Sequence, residues 1–76
     1  MKIEILGMGC QKCKKLYENA QTAVKELNIQ AEVTKVEDIA KITDHGVWST
    51  PALVIDGKVK TAGKIPSVEE IKNMLR

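Results

Sequence analysis

The 76-residue sequence has no phenylalanine, one tyrosine and one tryptophan, so its interior must be assembled from aliphatic side chains. Two cysteines and one histidine are too few for a disulfide framework or for a four-ligand zinc site within one chain. Long apolar runs are missing as well. The opening Met1-Lys2-Ile3-Glu4-Ile5-Leu6 is too short and too charged for a secretory segment, and nothing has the length of a membrane span. Nor does one sign of charge dominate: 12 Lys and Arg stand against 10 Asp and Glu. They are scattered, with Lys12, Lys14 and Lys15 as the one local basic cluster, which leaves no footprint for nucleic acid. These absences predict a single domain over residues 1–76, placed in the cytoplasm, with no membrane or nucleic-acid partner. In a reducing compartment two closely spaced cysteines are more often redox-active or metal-binding than a structural staple.

The residues that are present alternate between two periodicities. Lys2–Leu6 places Ile3 and Ile5 in period two and stops at Gly7, the pattern of a strand. Gln11 to about Leu27 sets Cys13, Leu16, Tyr17, Ala20, Val24 and Leu27 on one helical stripe. Ala31–Val36 alternates again and is rich in β-branched residues. Asp38 is an N-cap candidate for a short helix carrying Ile39 and Ile42 and ending by Gly46. Ala52–Ile55 is an apolar run, the mark of a strand buried on both faces. Asp56-Gly57 is the preferred pair for a type I′ turn, so Lys58–Ala62 returns antiparallel as an edge strand. Ser67 and Glu70 form a capping box ahead of Val68, Ile71, Met74 and Leu75. The order βαβαββα predicts an α/β fold, a mixed four-stranded sheet with helices on both faces. Its first strand would deliver Gly7–Cys13 at its carboxyl end, where open α/β sheets hold their sites.

Cys10 and Cys13, three residues apart over the start of a helix, carry the chemistry. Unsatisfied N–H groups and the positive end of the helix dipole stabilise a thiolate before the first turn, which makes Cys10 the nucleophile. Cys13, one turn on and more buried, would resolve the mixed disulfide. The same loop supports a rival reading. Gly7-Met8-Gly9-Cys10-Gln11-Lys12-Cys13 is similar to the Met-X-Cys-X-X-Cys loop of copper chaperones, and two thiolates suit Cu(I). Those domains close with a strand, whereas this chain closes with a capped helical pattern.

Taken together, the Cys-X-X-Cys after the first strand, Thr50-Pro51 before the buried strand and Gly63 after the hairpin resemble the thioredoxin-like fold in a short form. The whole chain is similar to small glutaredoxin-like, redox-active disulfide proteins of archaea and bacteria. That resemblance implies a thiol-disulfide oxidoreductase with no cofactor beyond its disulfide, acting as a monomer on protein or small-molecule disulfides and served by an upstream reductase. It also implies that Pro51 is cis and that Thr50 and Pro51 face the cysteine pair, the Thr50 backbone pairing with an extended substrate segment. Glu4, six residues before Cys10, matches the offset of the acid that relays protons in thioredoxins. The Trp before the first cysteine and the Gly-Pro spacer of thioredoxins are absent, as is the Pro-Tyr spacer of glutaredoxins. Trp48, His45 and Tyr17 have plainer readings, as packing, a helix-end residue and a core-facing ring.

Overall fold

In a computed structural model that describes residues 1–9 and 11–76, four strands and three helices follow one another among the described residues. They are β1 (Lys2–Leu6), α1 (Gln11–Leu27), β2 (Glu32–Val36), α2 (Ile39–Asp44), β3 (Ala52–Ile55), β4 (Lys58–Ala62) and α3 (Val68–Leu75). The sheet order is β2-β1-β3-β4. The first strand is therefore interior, parallel to β2 and antiparallel to β3, while β4 lies at one edge.

Period-two alternation sorts the sheet's side chains into two layers. Ile3, Ile5, Leu53 and Ile55 pack with Leu16, Ala20 and Ala23 of α1 and Ile71 and Leu75 of α3. Leu6, Ala52 and Val54 turn the other way, onto Ile42 of α2 and Val47. Helices thus cover both faces. One detail of α1 departs from the sequence reading: Ala23 is fully buried, whereas Val24 is only partly so. The small side chains at 20 and 23 line the side of α1 that meets α3, so the stripe is rotated toward that helix.

Local chemistry fixes the ends of the elements. The Asp38 carboxylate accepts from the Ala40 amide at 2.9 Å and starts α2. Ser67 and Glu70 form the reciprocal pair at the start of α3: the Ser67 hydroxyl accepts from the Glu70 amide, and the Glu70 carboxylate accepts from the Ser67 amide. Asp56 and Gly57 take φ of 49° and 83°, as a type I′ hairpin requires. Asp56 also clamps the start of the central strand. Its amide donates to the Lys2 carbonyl, and its carboxylate accepts from the Lys2 amide, both at 2.8 Å. Among the described residues no helix is long and apolar enough to cross a membrane.

Candidate active site

The site grows from the carboxyl end of β1. Beyond Leu6 the Gly7 amide donates to the Val36 carbonyl at 3.0 Å, extending the parallel ladder by one residue. Because β3 runs antiparallel and pairs Ala52 with Leu6, the residue before Ala52 lands beside Gly7. That residue is Pro51, buried and joined to Thr50 by a cis peptide bond. Its carbonyl accepts from the Gly63 amide at 2.8 Å. Gly63 has φ of 75°, and a Cβ there would lie 3.1 Å from Ser49 Cβ, so the chain turns tightly under the Pro51 loop.

Cys13, in the first turn of α1, points into the same corner and is only 6% exposed. A Cβ added to Gly7 would collide with Cys13 Sγ, would sit 3.2 Å from Cys13 Cβ and would lie 3.9 Å from Pro51 Cα. Gly7 is therefore the shared floor that lets the sulfur and the cis proline approach one another. The expectation that Cys10 is the attacking thiol falls on a residue outside the described ones. Its neighbour Gly9 has φ of 81°, a left-handed conformation that glycine adopts without a Cβ clash.

Other expected positions fall around this corner in different ways. Thr50 is exposed next to Pro51. Trp48 is 86% exposed and Met8 57% exposed, so neither is a core residue. Glu4, between Ile3 and Ile5, leaves the strand on the face of Leu6 and α2, and its cross-strand neighbours are Thr34 and Val54. His45 caps the end of α2, its amide donating to the Ile42 carbonyl at 3.2 Å. Tyr17 packs against the α1–α3 core while its hydroxyl accepts from the Gln21 amide group at 2.9 Å.

A cavity of about 190 Å³ opens beside Cys13, floored by Ile5, Gly7 and Gly9. Its charged lining is Lys14, from the basic cluster noted in the sequence, together with Lys35 and Glu37, which the sequence reading did not single out. Lys35 is held over the Tyr17 ring, Nζ 4.5 Å from the centroid. A signal was present: the face of β2 that begins with Ala31 and Val33 turns charged at Lys35 and Glu37, at the strand's carboxyl end. Among the described residues no group of three or more His, Cys, Asp or Glu side chains gathers as a metal centre would need.

Comparison with known proteins fits this architecture. The family model for the thioredoxin domain matches residues 1–76. A thioredoxin of Methanothermobacter thermautotrophicus is 45% identical over 75 residues, covering 99% of this chain and 97% of that protein. A thioredoxin of Methanocaldococcus jannaschii is 49% identical over 74 residues, covering 97% and 85%. Among solved structures, thioredoxin 1 from Thermosipho africanus superposes with a TM-score of 0.66 at 26% identity, covering 99% of this chain and 90% of that one. Nothing in these comparisons supports the copper-loop alternative. From its first residue to its last, the chain belongs to the thioredoxin family of thiol-disulfide oxidoreductases.

Proposed function

We propose that Cys10 and Cys13 are the exchanging pair, reducing disulfides of protein substrates and being re-reduced by an upstream thiol-disulfide reductase. The observation that carries this reading is the convergence of buried Cys13 and cis Pro51 on Gly7 at the carboxyl end of β1. Cys10 thiolate attacks one sulfur of the substrate disulfide, forming a Cys10 mixed disulfide as the other substrate sulfur leaves and takes a proton. Cys13 then loses its proton and attacks the Cys10 sulfur. The intramolecular disulfide forms, the second substrate thiol is released, and two electrons have passed from the cysteine pair to the substrate.

Thr50 and Pro51 serve as the substrate platform in this scheme. Exposed Thr50 offers its backbone to an extended segment, and buried Pro51 removes an N–H that would otherwise compete near the sulfurs. No cofactor is required, and the protein acts as a monomer in the cytoplasm. The test is reduction of insulin disulfides with dithiothreitol as electron source. The Cys10→Ser variant should fall to the uncatalysed rate, and pre-reduced Cys13→Ser mixed with insulin in the absence of dithiothreitol should accumulate a covalent Cys10–substrate adduct visible by mass spectrometry. Retention of catalysis by Cys10→Ser would sink the reading.

A further inference from the structure

We infer that Glu37 is the proton acceptor for Cys13 in the resolving step, an assignment that rests on the cysteine-pair reading above. The step creates a specific need. Cys13 is buried, burial disfavours a thiolate, and the thiol must nevertheless shed its proton before it can attack the mixed disulfide. A group able to take that proton has to reach the space into which Cys13 opens, and that space is the 190 Å³ cavity.

Among the described residues, Glu37 supplies the one carboxylate of the cavity lining. It follows β2 directly and shares the parity of Lys35, so both project to the side of the sheet on which α1 lies. The carboxylate reaches over the active loop: a Cβ on Gly9 would meet Glu37 Oε2 at 3.2 Å. Glycine at position 9 thus lets a carboxylate come close to the cysteine loop, as glycine at 7 admits the Cys13 sulfur. Among the described residues Glu37 is engaged in no ion pair; the pairs found belong to Lys72. Its oxygens are available to a proton.

The surrounding charges favour the transfer. From α1, Lys14 lines the cavity, and from β2, Lys35 does so while anchored on Tyr17. The sections of β1 and its following loop that complete the lining, Ile5, Gly7 and Gly9, bring no charge. The two ammonium groups offset negative charge as it develops on Cys13. A cavity of this size with Lys14, Lys35 and Glu37 in its lining admits water, which can carry the proton from Cys13 to Glu37. The balance is simple. Cys13 S–H gives its proton to the Glu37 carboxylate, the thiolate forms the bond to Cys10 sulfur, and the departing substrate thiolate is protonated by Glu37 or by water. Glu4, on the opposite face of the sheet, is not among the residues lining this cavity.

Stopped-flow reaction of the reduced protein with a chromogenic aryl disulfide separates the two steps, because attack by Cys10 and resolution by Cys13 each release one coloured thiolate. Glu37→Gln should leave the first phase intact and slow the second about a hundredfold at neutral pH, the low end of what general-base catalysis supplies. The deficit should shrink as pH rises and hydroxide replaces the missing base, a pH dependence that a merely structural lesion would not produce. Glu37→Asp should recover part of the rate. The inference is overturned if the second phase of Glu37→Gln follows the wild-type pH profile, or if Glu4→Gln shifts that profile while Glu37→Gln does not. Cys13→Ser run in parallel keeps the two levels apart: a second phase surviving in that variant would remove the cysteine-pair reading itself, not Glu37 alone.

Discussion

The two faces of the sheet are built to different weights. On the α1–α3 side, nine buried residues among those described form a continuous core, flanked by Tyr17, Val24, Leu27 and other partly buried apolar groups. On the α2 side the buried cluster has five members and a helix of six residues. The heavier face carries the cysteine helix, and the lighter one carries the loop that leads through exposed Trp48 and Thr50 to Pro51. On the reading proposed above, the heavier packing lies under the resolving sulfur of Cys13, where a small displacement would spoil attack geometry, and the sparser layer borders the proposed substrate platform.

Truncations on the two sides test this difference most strongly. Leu16→Ala empties a fully buried position of the heavy face and should cost about 3–4 kcal/mol, a large share of the stability of a chain this small. Ile42→Ala on the light face should cost about 2 kcal/mol, since fewer neighbours surround the lost methyls. Equal losses in urea unfolding would erase the contrast. Next in size is Gly7→Ala. The new methyl must displace Cys13 Sγ, an overpacking worth about 1–3 kcal/mol, and it should slow resolution so that mixed disulfides persist. Unchanged stability together with unchanged resolution would show that the heavy face does not fix the sulfur.

The smallest effect concerns the ion pairs of Lys72, of which the one to Glu26 joins α3 to α1 and the one to Glu69 lies within α3. Lys72 lies 3.0 Å from Glu26 and 3.3 Å from Glu69. Its pKa is raised above 10.5 chiefly by the hydrogen bond to Glu26, then by that to Glu69. A raised value in the fold means that the protonated lysine is the form folding favours. Its contribution is complete below the unfolded value of 10.5 and fades as pH climbs through the folded one. Lys72→Met should therefore lower the thermal midpoint slightly at neutral pH, the more so at low salt, and the difference should vanish in strong alkali.

Features set by neighbours in sequence were readable from the sequence. The Asp38 cap, the Ser67–Glu70 box and the Asp56-Gly57 turn each depend on a few adjacent residues, and the strand and helix order followed from periodicity. Features set by meeting across the fold were less accessible. The burial of Ala23 ahead of Val24 depends on where α3 lands. The approach of Glu37 to Gly9 joins the end of β2 to a loop far from it in sequence. Glu4 was singled out by its offset from Cys10, and counting along one strand could not weigh the alternation that sends it to the α2 face. Gly7 stood out as a strand terminator, but its service to Cys13 and Pro51 emerges only when β1 and β3 are paired.

The Gly63–Pro51 hydrogen bond places a rule on chain length. The loop bearing Thr50 and Pro51 is held on one side by the pairing of Ala52 with Leu6 and on the other by an amide that arrives only after β3, the turn and all of β4. One irregularity is already absorbed in that path, between the Leu53–Thr61 and Val54–Val59 pairs. An insertion or deletion between residues 52 and 62 that the bulge cannot take up would present a different amide to Pro51, and would tell on the active loop although the altered residue lay on the distant edge of the sheet. Residues 64 and 65, exposed just past the latch, can change in number without that penalty, up to Pro66, which is buried and accepts from the Asn19 side-chain amide at 3.0 Å. The hairpin is thus a measured segment, and tolerance to length change begins one residue after Gly63.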